Sequence, residues 1–139
     1  MSLEAAKELA PTGVLRAAIN MSNFLLVTGK TATGEPDGVS PDMARELAKR
    51  LSVDLELLQY KTPGEISDAA GKDIWDIGNI GAEPKRAEKI DFTAAYCEIQ
   101  STYMVPPGSE ITSLDQVDQE GVRIAVSARS AYALWLERN

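Results

Sequence analysis

Histidine is absent from the sequence. That absence removes the usual proton shuttle, the base of Ser-His and Cys-His nucleophile systems, and the commonest zinc ligand. The single cysteine, Cys97, cannot close an internal disulfide, so cysteine usage fits the cytosol without excluding export. No stretch approaches the roughly 20 apolar residues that span a bilayer. The amino terminus, Met1-Ser2-Leu3-Glu4, lacks the basic and apolar segments of a secretory leader. Either the chain is not exported and stays cytoplasmic, or a leader has been removed and it is periplasmic. Basic charge is scarce: 14 Lys+Arg stand against 21 Asp+Glu, a net charge of −7. Such a field repels phosphate backbones and anionic headgroups, so neither nucleic acid nor a membrane surface is an expected partner. What is present is globular: 44% hydrophobic and 25% charged residues in a chain of 139. That length allows one domain or two small lobes and excludes a large multidomain enzyme.

The chain divides into short elements punctuated by glycine and proline. Leu3 to Ala10 has helix-forming composition and stops at Pro11. Val14 to Ile19 reads as a strand, followed by a polar stretch and a flexible Gly-rich loop from Gly29 to Gly38. Ser40-Pro41-Asp42 predicts a helix start, with Ser40 as the cap. Met43, Ala44, Leu47, Ala48 and Leu51 recur on one face of that helix. Val53 to Leu58 alternates as a strand, Glu65 to Ala70 follows as a short helix, and Ile74 to Ile80 is a third strand. This alternation of strand and helix predicts an α/β lobe with a parallel sheet. Beyond it, Tyr96 to Val105 reads as one long strand with Cys97, Ile99 and Val105 on its apolar face. Ser113 and Gln116 form a capping box, Val122 to Val126 reads as a buried strand, and Ser130 caps a last helix, Ala131 to Arg138. A second lobe therefore begins after Pro107.

In open parallel sheets ligands bind beyond the carboxyl ends of the strands. The informative exit is Gly78-Asn79-Ile80-Gly81-Ala82-Glu83-Pro84-Lys85-Arg86. Glycines let a ligand approach backbone N–H groups, Pro84 fits a first helical turn, and Arg86 offers a planar fork for a carboxylate. Together they describe an anion pocket. No metal or cofactor motif accompanies it.

Gly34-Glu35-Pro36-Asp37-Gly38-Val39-Ser40-Pro41-Asp42-Met43-Ala44, then Trp75-Asp76-Ile77-Gly78, then Arg86 leading to Asp91-Phe92-Thr93 and Tyr96, resemble the amino-acid-binding subfamily of periplasmic solute-binding proteins. These are the two-lobed receptors of ABC importers, and the likeness covers most of residues 12–136. It implies a periplasmic-binding-protein-like α/β lobe over residues 1–95, a crossover or hinge strand over 96–107, and an incomplete second lobe over 108–139. It implies that Arg86 binds a ligand carboxylate, that Asn79 and Gly81 supply neighbouring hydrogen bonds, and that Asn20 lies near the ligand amine. Ser130 falls where a second-lobe group closes on the carboxylate, and Phe24 or Tyr60 is placed to wall the ligand. An ABC permease is the partner that the resemblance implies.

The sequence departs from that pattern. The family usually has Ser or Thr where this chain has Gly81 and Glu83, and Glu83 would repel a carboxylate unless it points away or pairs with Lys85. Asn20 lacks the charge that would pair an ammonium. The second lobe opens with one strand and one helix, which cannot bury Leu134, Trp135 and Leu136 alone, so a homodimer or a domain-swapped pair is expected. Each residue also has a simpler reading. Arg86 can pair with Glu83 or Asp91, Asn20 and Asn79 can be satisfied loop amides, Ser130 can be only a cap, and Cys97, Trp75 and Trp135 can be core. Three functions follow: a module binding a small carboxylate or amino acid for import, a degenerate lobe used for self-association or protein interaction, or a dehydratase-type enzyme resting on Glu83 or Glu65.

Overall fold

A computed structural model describes residues 3–139. Five strands and five α-helices follow in chain order: α1 Leu3–Leu9, β1 Val14–Asn20, β2 Gly29–Lys30, β3 Pro36–Asp37, α2 Val39–Leu51, β4 Asp54–Tyr60, α3 Pro63–Ala69, β5 Ile77–Asn79, α4 Pro84–Ala87 and α5 Ala131–Arg138. The main sheet has the order β4-β1-β5, and both pairings are parallel. The α/β lobe with a parallel sheet flanked by helices is therefore formed as its alternation predicts.

β1 is central, so both its faces are covered and it reads as a nearly continuous apolar run. Leu15, Ala17 and Ile19 are fully buried on one face, against α1 and α2 through Ala10, Ala44, Ala48 and Leu51. On the other face Ile66 of α3 is fully buried and lies close to Gly78 of β5. A Cβ on Gly78 would stand 3.3 Å from the Ile66 side chain, so β5 needs a small residue to let α3 dock. α3 starts on a capping box in which Thr62 accepts from the Glu65 amide and Glu65 accepts from the Thr62 amide.

Several expectations are corrected. The Gly29–Gly38 stretch is not a plain loop, because β2 and β3 pair as a small antiparallel hairpin. α2 begins at Val39 on Gly38, and Ser40 lies inside its first turn rather than capping it. Gly38 has φ 128, and a Cβ there would meet the Leu26 carbonyl oxygen at 2.7 Å, so only glycine fits. Met43 is exposed rather than on the buried face of α2. The third strand shrinks to Ile77–Asn79, because Asp76 is engaged by Arg16 before the ladder starts.

The largest corrections lie beyond Tyr96. No strand forms over 96–105 or 122–126 among the described residues, and Ser113 opens only a 3-10 turn, Leu114–Gln116. A strand needs a hydrogen-bonded neighbour, and an apolar face alone does not provide one. Tyr103, Met104, Val105, Ile124, Val126 and Trp135 are exposed, as is Cys97, so neither Cys97 nor Trp135 is core. Trp75 is half-buried and donates from its indole to the Ile66 carbonyl at 3.1 Å. The last helix does form on Ser130, whose Oγ accepts from the Ala133 amide at 3.1 Å.

Candidate functional site

The parallel ladders bring Asn20, Tyr60 and Asn79 to one rim of the sheet, where Asn20 is paired with Tyr60 and its neighbour Ile19 with Asn79. Asn20 is buried, and its Oδ1 accepts from the Ser22 amide at 3.1 Å and the Ser22 hydroxyl at 2.7 Å, which closes the turn after β1. Asn79 donates from Nδ2 to the Ser40 carbonyl at 2.8 Å. Ser40 in turn shares a 3.0 Å hydrogen bond with the Tyr96 hydroxyl. Asn20 is thus bonded locally, as short polar side chains at strand ends commonly are, whereas Asn79 ties the end of β5 to α2. Phe24 lies in the turn after β1 and is 78% exposed.

Arg86 is the distinctive group. α4 is one turn long, begins at Pro84 on the Glu83 cap, and carries Arg86 inward with only 3% of its surface exposed. Its Nη1 donates to the Gly81 carbonyl at 2.7 Å and its Nη2 to the Arg129 carbonyl at 3.1 Å. Its guanidinium forms no ion pair among the described residues; neither the Glu83 nor the Asp91 carboxylate bonds to it. Burial pushes its pKa down; the nearby Glu83 charge pushes it up and the nearby Arg129 charge lowers it further. A guanidinium stays charged, and the two groups that accept from this one are neutral carbonyls, so its charge has no directly bonded counter-ion among the described residues. Gly81 lies beside the guanidinium and α5: a Cβ there would stand at ordinary contact distance, 3.5 Å from Ala131 Cβ and 3.7 Å from Arg86 Nη1.

Glu83 does not neutralise it. The carboxylate is buried, accepts from the Lys85 amide at 2.9 Å, and is hydrogen-bonded by Arg138 of α5. Burial alone would raise its pKa, but the Arg138 bond, the Lys85 amide and the Arg138 and Arg86 charges leave it lowered. The Glu83 carboxylate is therefore bonded to Arg138 rather than to Arg86, and its contact with Lys85 is to the backbone rather than to the ammonium. Ser130, next to Arg129, is buried at the start of α5 and serves as its cap.

The fold thus gathers Arg86, Gly81 and the 129–131 segment, while Asn20 and Asn79 end their strands at one rim of the sheet and Phe24 is exposed in the turn after β1. Arg129, Asp68 and Arg138 were not singled out by sequence reasoning. The only signal for Arg129 was its position in the strand exit before Ser130, and long-range ion pairs leave no local pattern. Two grooves, of about 380 and 200 Å³, lie elsewhere, one lined by Tyr103, Ile124, Val126 and Trp135 and the other by Val105, Ile111 and Val117.

Residues 17–133 match the family described as bacterial extracellular solute-binding proteins, family 3. The L-cystine-binding protein TcyJ of Escherichia coli K12 is 28% identical over 107 residues, which cover 76% of this chain and 40% of that protein. The chain therefore spans well under half the length of that curated relative. Among solved structures, an ancestral cyclohexadienyl dehydratase is similar at a TM-score of 0.57 and 26% identity, covering 66% of this chain and 38% of the other. An ancestral cationic amino acid solute-binding protein is similar at 0.54 and 26%, covering 64% and 39%. A mutant of the arginine-bound form of domain 1 from TmArgBP shares the fold at 0.50 and 20%, covering 60% and 64%.

Proposed function

The chain belongs to the bacterial extracellular solute-binding proteins, family 3, and from that premise we propose that it binds the carboxylate of a small acid or amino acid through Arg86. The observation that carries this reading is a buried guanidinium with no carboxylate partner among the described residues, held at the rim where three parallel strands end. Burying a charge without a counter-ion is costly, and a bidentate anion relieves that cost. In this reading Gly81, Asn79 and Asn20 supply neighbouring hydrogen bonds to the ligand, and Ser130 closes on it from α5. Relatives named for cystine and for cationic amino acids make free amino acids the first class to test.

In this reading residues 1–95 form the first lobe, 96–107 the hinge and 108–139 the opening of a second lobe. Delivery to an ABC permease, in the periplasm or outside the cell, is the corresponding role. The exposed apolar side chains of 96–139 favour completion of the second lobe by a second copy, as a homodimer or swapped pair. Light scattering tests that part, and a strictly monomeric mass overturns it.

Binding is tested by thermal shift with a panel of amino acids, including L-cystine and L-arginine, and simple carboxylates. We expect at least one to raise the melting temperature, and Arg86→Ala to abolish the rise. No shift from any member overturns the reading and favours the second one, a lobe used for self-association, which the grooves away from Arg86 support. An enzymatic reading has less support, because the two carboxyls it would need are otherwise engaged. Glu83 is tied to Arg138, and Glu65 accepts from the Lys61 amide at 2.8 Å and the Thr62 amide at 3.2 Å.

A further inference from the structure

One residue ties the segment before α5 to the first lobe at two points. Arg129 has φ 59, a left-handed backbone that non-glycine residues adopt infrequently. Its carbonyl oxygen accepts from Arg86, while its guanidinium donates to the Gly64 carbonyl at 3.1 Å and to Asp68 Oδ1 at 2.5 Å in α3. The guanidinium lies directly over Gly64, where an added Cβ would come within 3.0 Å of it. The Arg129 carbonyl therefore takes one of the donors that a carboxylate oxygen would take.

We propose that Arg129 is a positioning residue that clasps the 129–131 segment to α3 and thereby shields Arg86 from solvent and from an incoming carboxylate. This rests on the reading of Arg86 as an anion site. The clasp is built to release. Its ion pair is 55% exposed on the arginine side chain and 58% on the aspartate, so water competes for both partners. The Glu83–Arg138 tie holds the far end of α5 independently, so release at Arg129 frees the loop before the helix rather than the whole helix.

The test is arginine labelling of the full chain with phenylglyoxal, read by peptide mass spectrometry at Arg86 and at Arg16. Asp68→Ala should speed labelling of Arg86 about two- to fivefold, the range for losing an exposed ion pair. Arg129→Gly, which suits the left-handed backbone but removes the side chain, should speed it further. Arg16, held in the sheet, should label at an unchanged rate. Arg86 labelling that is unchanged in both variants overturns the clasp, and so does a rise matched at Arg16, which would mean general loosening. Sodium acetate serves as the anion probe in a second arm, and it should slow Arg86 labelling more in the Arg129→Gly chain than in the unaltered one. Faster labelling without acetate protection leaves the clasp standing and overturns the carboxylate reading instead.

Discussion

Arg16 and Asp76 are joined by three hydrogen bonds: Arg16 Nη2 to Asp76 Oδ1 at 2.7 Å, Nε to Oδ2 at 3.1 Å, and the Arg16 amide to Oδ2 at 2.8 Å. The Asp76 amide returns a bond to the Arg16 carbonyl at 2.9 Å. This fork fixes the register of β5 on β1 before the ladder itself begins, and so sets where Asn79 and the Arg86 loop emerge.

Asp76→Ala should therefore lower the melting temperature by roughly 4–8 °C, the size expected for losing about one charge-assisted hydrogen bond in a small domain. Asp73→Ala is the control. Asp73 also bonds Arg16, at 2.7 Å, but its side chain is 93% exposed, and its removal should change the melting temperature little. Equal losses in the two variants would contradict the assignment.

Acid should weaken the same contacts. Burial raises the Asp76 carboxyl, but the Arg16 bonds and charge pull it below the ordinary aspartate range, and Glu83 is held low by Arg138 and the Lys85 amide. A carboxyl lower in the folded state than in the unfolded one contributes stability above its unfolded value, and that stability is lost as pH falls through the folded value. Melting temperature should accordingly be level near neutrality and drop below about pH 5. Asp76→Asn should flatten part of that drop, and a profile identical to the unaltered chain would refute the assignment.

Gly38→Ala should destabilise by about 1–3 kcal/mol in urea titration, since its backbone lies outside the L-residue range and the new Cβ would strike the Leu26 carbonyl oxygen. Gly34→Ala, with φ 84 but open space around it, should cost less. The ordering of the two is the discriminating result.

Ile66→Ala removes a fully buried side chain between α3 and the sheet and should cost about 2–5 kcal/mol. Gly78→Ala presses on the Cγ2 methyl of the same side chain at 3.3 Å and should cost less, and Ile66→Ala, which removes that methyl, should absorb part of its effect. Strict additivity of Gly78→Ala and Ile66→Ala in denaturant melts would show that the two sites do not touch energetically.

Arg86→Met should leave the ligand-free melting temperature unlowered while abolishing any carboxylate-induced rise, because it trades a buried unpaired charge for apolar volume. A large loss of stability without ligand would mean that the guanidinium serves mainly to hold the Gly81 and Arg129 carbonyls.

The α/β lobe was legible because its signals are local. The apolar run of β1, the spacing of Ala44, Leu47, Ala48 and Leu51, and the alternation in β4 each declare their element within a few residues. The same reasoning singled out Arg86, Gly81 and Ser130, and the structure brings Arg86, Gly81 and the 129–131 segment near one another. It misplaced the strands over 96–105 and 122–126, because alternation describes a face and says nothing about whether a neighbouring strand is there to pair. It also missed Arg129, whose partners Gly64 and Asp68 are more than sixty positions away.

The hydroxyl contact between Ser40 and Tyr96 has a consequence for how the chain tolerates change in length. With Tyr96 pinned at one end and Arg129 at the other, the intervening stretch is a loop with both ends fixed, and it carries no ladder that an insertion would break. Closure entropy rises only logarithmically with loop length, so doubling that stretch would cost about 0.6 kcal/mol. New segments can therefore be accepted between these two pins with little strain on the sheet that carries Arg86.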